Sequence, residues 1–155
     1  KISMINIRVY GILINEKKQV LVSDELIRGM KITKFCGGGL EFGEGTRECL
    51  VREFKEEMKL SVQVNEHIYT TDYFQRSAFN PSHQIVSIYY SVTALEPILI
   101  PFEKKPFEFN QNELALYEQT QQTETFRRIA WNLFSSNDLS LPIDKIVAQL
   151  LKEKS

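Results

Sequence analysis

The stretch Gly37-Gly38-Gly39-Leu40-Glu41-Phe42-Gly43-Glu44-Gly45 constrains this chain more than any other. Its glycines break regular structure and let the backbone bend tightly against whatever lies beside it. Directly after it, Leu50, Val51, Phe54 and Met58 fall on one arc at about 100° per residue, which predicts a helix over 46–58. With Glu53 at zero on the helical wheel, Glu56 falls at about −60° and Glu57 at about +40°, on a single face. Three glutamates this close repel one another unless they are solvated, protonated or bridged by a cation. Hard divalent cations such as Mg²⁺ select such oxygen clusters, with waters and substrate phosphates completing the shell. A solvated acidic face is the ordinary explanation of a helix like this. The turn in front changes the reading, because it carries two further carboxylates, Glu41 and Glu44, straight into the helix. No Gly-Lys-Ser/Thr follows, so the turn is not a phosphate-gripping P-loop.

Around this segment the pattern is that of a mixed α/β (α+β) chain. Residues 5–14 alternate as a strand, Asn15 to Lys18 is a polar turn, and Gln19 to Val22 reads as a hairpin partner. Strand-like pieces follow at 61–64, 68–74 and 84–95, with a last one at 126–134. Residues 101–124 read as a long loop holding one short helix near Gln111 to Glu118. Ile143, Ile146, Val147, Leu150 and Leu151, behind Pro142, predict a C-terminal amphipathic helix. There are no repeats and no linker, so residues 1–155 are expected to form a single domain.

Residues 38–60 resemble the Nudix box, G-x5-E-x7-R-E-U-x-E-E-x-G-U, where U is a bulky aliphatic residue. Gly38, Glu44, Arg52, Glu53, Glu56, Glu57 and Leu60 match; Phe54 stands where an aliphatic is usual, and Lys59 replaces the late glycine. The resemblance implies the Nudix-like fold, a mixed sheet between helices with the box as strand-loop-helix. It implies a hydrolase that cleaves the diphosphate linkage of a nucleoside diphosphate joined to another moiety, using Mg²⁺ with Mn²⁺ as a substitute. Glu53, Glu56 and Glu57 would be the metal ligands, with the Gly38 carbonyl in addition. Glu53 would also help deprotonate the attacking water, and Arg52 would orient the carboxylates. Glu44 would either pair with Arg52 or complete the metal shell. Glu41 is a further candidate at the substrate, and Glu113 or Glu118 could supply a base from outside the box. The late glycine of the pattern implies a left-handed residue ending the helix, with Lys59 in that geometry; the alternative is that the helix ends differently here and Lys59 keeps ordinary helical angles. The alternative is a non-catalytic module of the same fold that binds or senses a nucleotide derivative; the intact charged positions favour hydrolysis.

The remaining residues narrow the partners. A net charge of −1 gives no reason to expect nucleic acid or an anionic membrane, so a small nucleotide-type substrate must be held by local features. No apolar run reaches the roughly 20 residues of a membrane helix, and Lys1 to Asn6 lacks the apolar stretch of a signal peptide. Cys36 and Cys49 have no metal or redox spacing, which fits reduced thiols in a cytoplasmic protein. Tyr73 and Tyr89 are the aromatics most suited to stacking on a nucleobase. Arg8 and Arg76 could meet phosphates, and nothing in the sequence separates them from other surface cations. Homodimers are common in the family resembled, and no interface signature stands out here.

Overall fold

The computed structural model describes residues 3–101 and 104–154. Lys1 and Ile2 of the N-terminal stretch, and residues 102 and 103 of the expected loop, lie outside the described residues. Strands and helices alternate as β1 (Met4–Leu13), β2 (Gln19–Ile27), β3 (Met30–Gly39), α1 (Thr46–Met58), β4 (Val62–Thr70), β5 (His83–Ala94), α2 (Gln111–Thr120), β6 (Gln122–Ala130) and α3 (Pro142–Glu153). The class is α+β, as the sequence patterns imply. Two compact units account for the chain: residues 1–13 with 37–98, and residues 14–36 with 99–155.

In the first unit β1 runs parallel to β5, with Val9 opposite Ile88 and Gly11 opposite Tyr90, and β5 pairs antiparallel with β4. The two strand-like pieces at 61–64 and 68–74 are one strand, β4, irregular between Val64 and Tyr69. Helix α1 lies close over β1 because Gly11 has no side chain. A Cβ there would stand 2.6 Å from Val92 Cγ2 and 3.0 Å from Phe54 Cε1. Cys49, Leu50 and Phe54 are fully buried on this flank of the helix. Truncating a ring buried like Phe54 costs about 3–5 kcal/mol in comparable cores. The helix opens at Gly45, whose N–H donates to the Glu48 carboxylate at 2.7 Å. It closes at Lys59, which is left-handed (φ 53°, ψ 35°) and donates its N–H to Lys55 O at 3.0 Å. That reversal returns Leu60 to the core.

In the second unit β2 lies between β3 and β6 and is antiparallel to both. The expected β1–β2 hairpin is corrected here. Its turn is present, closed by Lys18 N–H to Asn15 O and Asn15 N–H to Gln19 O, both 3.0 Å. Among the described residues, however, pairing across the turn is confined to the Ile14–Val20 bridge. Strand β3 has no counterpart among the expected strands, because Lys31 and Lys34 interrupt its apolar residues. Lys34 is nevertheless buried, its ammonium 3.5 Å from the Glu124 carboxylate, which also accepts from Ser23 Oγ at 2.5 Å. Beside it, Asp24 has no exposed surface. Its carboxylate accepts from Arg127 Nε (2.6 Å) and Nη2 (3.2 Å), Thr33 Oγ1 (2.7 Å) and the Phe107 N–H (3.0 Å). A buried charge survives only with partners of this kind, and stripping one away typically costs about 3–5 kcal/mol. Helix α3 buries Ile143, Val147 and Ala148, and its Asp144 accepts the Phe35 N–H at 3.1 Å.

The short helix expected near Gln111 is α2. Glu113 serves its start: its carboxylate accepts the Asn110 N–H at 2.8 Å, while Asn110 Oδ1 accepts the Glu113 N–H. This is a reciprocal capping box. Glu118 is exposed.

A left-handed lysine costs about 1–2 kcal/mol relative to glycine. We therefore expect Lys59→Gly to raise the melting midpoint by a few degrees, at about 2–4 °C per kcal/mol for a chain of this size. A clear fall in thermal denaturation would contradict the left-handed cap.

Candidate active site

Arg52 is the centre of the site. From the middle of α1 its Nε donates to Glu44 Oε1 at 2.8 Å and its Nη2 to Glu44 Oε2 at 2.7 Å, a fork-to-fork pair. Nη1 donates to Glu53 Oε2 at 3.0 Å and to Glu56 Oε1 at 3.1 Å, and Nη2 also reaches Gly39 O at 3.1 Å. Glu41 completes the ring with a carboxylate oxygen 3.6 Å from Nη1. One guanidinium thus ties the glycine turn to the helix and holds four carboxylates that would otherwise repel. The sequence left two roles open for Glu44; in this structure it pairs with Arg52. It also accepts the Glu41 N–H at 2.9 Å. The bond from Arg52, and after it the Glu41 amide, hold its carboxyl down at about 2, against an ordinary 4.5.

Glu53 is largely enclosed, with 12% of its side chain accessible. It lies flat on Gly38: a Cβ on that glycine would stand 2.5 Å from Glu53 Cδ and 2.6 Å from either oxygen. Any side chain at Gly38 would push the carboxylate out, so the glycine of the motif is a seat for a glutamate. Its neighbour Gly37 has φ +151° and a virtual Cβ 2.0 Å from Val9 O, which also admits no side chain. Glu56 is largely exposed, with its side chain 61% accessible, and Glu57 is partly buried. The helix thus brings Glu53, Glu56 and Glu57 to one region, as their spacing predicts. Among the described residues no group of three or more His, Cys, Asp or Glu side chains stands arranged as a metal cage. Glu53 and Glu56 are both turned to Arg52. Carboxylate oxygens beside bare glycine backbone are the hard donor type that divalent cations take.

Other candidates separate cleanly. Tyr73 lies between β4 and β5 and is 39% exposed; partial burial, and then Asp72, push its hydroxyl up. Tyr89 is a correction. It has no exposed surface, and its ring packs against Tyr10 (centroids 5.3 Å) and Tyr69 (6.4 Å), so it serves as core rather than as a stacking platform. Strand alternation marks which aromatics share a face, and it does not tell which face is covered. Cys49 is fully buried with its Sγ 3.5 Å from Gly39 O, and burial raises its thiol to about 12. Sequence reasoning did not find the Gly39 carbonyl as an acceptor for Arg52, since a backbone group leaves no residue signal.

The Glu44 carboxyl titrates lower folded than unfolded, so its contribution to stability is complete above about pH 4.5 and is lost as pH falls through about 2. Thermal melts of the wild type and Glu44→Gln across that range test this. We expect the variant to melt lower at neutral pH and the gap to close in acid. A gap that stays constant with pH would mean the pair does not form.

The NUDIX domain pattern matches residues 4–134, and no curated protein matches the sequence. A solved NUDIX hydrolase from Nitrosomonas europaea is similar at 15% identity, covering 96% of this chain and 89% of that one, with a TM-score of 0.60. The MutT protein from Methanosarcina mazei Go1 is similar at 12% identity, covering 98% and 96%, with a TM-score of 0.64. An ADP-ribose pyrophosphatase from Streptococcus suis 89-1591 is similar at 14% identity, covering 97% and 92%, with a TM-score of 0.52. Across seven of the similar solved structures the chain spans from 61% to 96% of the other chain's length. At these identities the likeness is one of fold; the family rests on the domain match, which takes in β1 to β6 and every residue of the Arg52 cluster. The chain belongs to the NUDIX domain family, the Nudix hydrolases.

Proposed function

We propose that this chain is a Mg²⁺-dependent hydrolase of the diphosphate linkage in a nucleoside diphosphate joined to another moiety, such as a nucleotide sugar or an ADP-ribose-like compound, or in a nucleoside triphosphate. The observation that carries this reading is the single guanidinium of Arg52 gathering Glu53 and Glu56 beside the bare backbone of Gly38. Glu53, Glu56 and Glu57 would hold the cation, with the Gly38 carbonyl as a further ligand. Bound there, Mg²⁺ would neutralise the charge that develops on the phosphate oxygens. The protein's own part is positioning, which is most of what a phosphoryl transition state asks of it. Arg52 holds Glu44, Glu53 and Glu56 together, and Glu53 would accept a proton from the attacking water. Glu113 is engaged at its own helix start, where its carboxylate accepts the Asn110 N–H. Glu41 and Tyr73, both exposed, are the side chains we assign to substrate contact. The ADP-ribose pyrophosphatase of similar fold supports a substrate of this kind. Both cysteines are buried thiols outside any disulfide, in keeping with a cytoplasmic protein.

Glu57→Gln tests the assignment. Losing one ligand charge should remove several kcal/mol of transition-state stabilisation, hence lower kcat/KM by about 100-fold or more, with an unchanged circular dichroism spectrum. Near wild-type turnover at saturating Mg²⁺ would remove Glu57, and with it the proposed cation site, from the mechanism.

A further inference from the structure

We propose that Ile5, Ile7 and Val86 form the seat for the nucleobase of the substrate, on the same sheet face as Glu53. The inference rests on the diphosphate reading above and says which part of the substrate lies on these side chains, all of them outside the Nudix box. Alternate residues of a strand point to one face, and two contacts fix which face of β1 and β5 carries the helix. The Cβ position of Gly11 falls 3.0 Å from Phe54 Cε1 of α1. Tyr90, opposite Gly11 in register, is hydrogen-bonded through its hydroxyl to Thr46 Oγ1 at the start of α1, at 2.6 Å. Ile5, Ile7 and Val9 share the face of Gly11, and Val86 and Ile88, opposite Ile7 and Val9, share that of Tyr90. Tyr10 and Tyr89 pack together on the other face. The Cβ position of Gly38 falls on the Glu53 carboxylate of α1, so it too marks the helix side.

The helix covers only part of this face. Exposure climbs along β1 from 0% at Val9 through 39% at Ile7 to 63% at Ile5. Leu40, two residues beyond Gly38, donates its N–H to Ile7 O at 2.9 Å. Ile7 therefore stands two residues along from the seat of Glu53, about 7 Å at about 3.4 Å per residue, and Ile5 extends the row by a similar step. An uncovered apolar row that begins beside a cluster of carboxylates is the kind of surface that lines ligand grooves. Its chemistry selects the part of the substrate it takes. A phosphate finds no charge there, and a ribose would be stripped of water without gaining hydrogen bonds. A nucleobase has flat faces that lose little on leaving water, and it stands beyond the ribose, set off from the diphosphate as the row is set off from Glu53. Gln84, opposite Ile5, is the polar residue at the far end of the row. The ring is thus held by its face rather than read along its edge, and different bases should bind alike.

The probes are AMP and ribose 5-phosphate, which differ only in the nucleobase and hold no diphosphate to cleave. Each is titrated by calorimetry, with Mg²⁺ present, into wild type and Ile7→Ser, with methylenediphosphonate as the control for the glutamate site. We expect the wild type to bind AMP about tenfold or more tightly than ribose 5-phosphate, equivalent to about 1.4 kcal/mol. Ile7→Ser should close most of that gap and leave the affinity for methylenediphosphonate unchanged. Equal affinity of the wild type for AMP and ribose 5-phosphate overturns the proposal, as does a gap that survives in Ile7→Ser or no binding of AMP at all. A matching loss of methylenediphosphonate binding also overturns it, since the substitution would then have disturbed the glutamates. Should Ile7→Ser not fold, Val86→Thr, close to valine in shape, is judged by the same outcomes. Sedimentation without ligand covers the rival occupant: a wild-type dimer that Ile7→Ser turns into a monomer would put a second copy on the row and overturn the proposal. Turnover by the wild-type protein reports separately on the diphosphate reading, so the two can fail independently.

Discussion

The bidentate bond between Arg52 and Glu44 is the interaction on which the candidate site depends. A helix face with three glutamates is unfavourable by itself, and the glycine-rich turn before it leaves its one aromatic ring, Phe42, fully exposed. Arg52 resolves both difficulties. Its planar fork satisfies Glu44 and the Gly39 carbonyl on the turn side, and Glu53 and Glu56 on the helix side. A lysine would bring one point of charge and three rotatable donors, and could not hold four acceptors in fixed directions. Part of the cluster is shielded, with Arg52 at 21% and Glu44 at 14% side-chain exposure, so these bonds count for more than surface pairs do.

The same chemistry recurs in the second unit with a different outcome. There Arg127 grips Asp24 in full burial, and the remaining donors come from Thr33 and the Phe107 amide. Every oxygen of Asp24 has a partner and none faces solvent, so the network fastens strands and has no room for a ligand. Around Arg52, by contrast, the side chains of Glu41 and Glu56 stay exposed, at 68% and 61%, as the proposed exchange of partners for a cation requires. Exposure separates a clasp from a site.

Much of this was legible in the sequence, and what was not has identifiable causes. Helix α1 coincides with its apolar arc because the pattern that buries Leu50 and Phe54 is the pattern that defines a helix. Lys59 adopts the left-handed geometry that the motif's usual glycine implies. Strand β3 escaped because Lys34 reads as solvent-facing, and only the fold supplies the Glu124 and Ser23 that let it be buried. The β1–β2 hairpin was inferred from a correct turn, but a turn fixes the reversal of the chain and not the strand that will pair beyond it. Tyr89 was misplaced for a similar reason, since burial is decided by layers that one strand's alternation does not contain. Gly38 and Gly39 read as a tight turn that breaks regular structure; they instead end strand β3, one against Glu53 and one beside Arg8.

The central claim, that these carboxylates serve cation-dependent hydrolysis of a diphosphate, is tested most directly by a turnover panel. ADP-ribose, a nucleotide sugar, a dinucleoside polyphosphate and a nucleoside triphosphate would each be incubated with the wild-type protein, with products identified by mass. The account predicts cleavage at a phosphoanhydride bond for at least one of them, abolished by chelation and restored by added Mg²⁺. No turnover of any compound, or turnover indifferent to chelation, would contradict it.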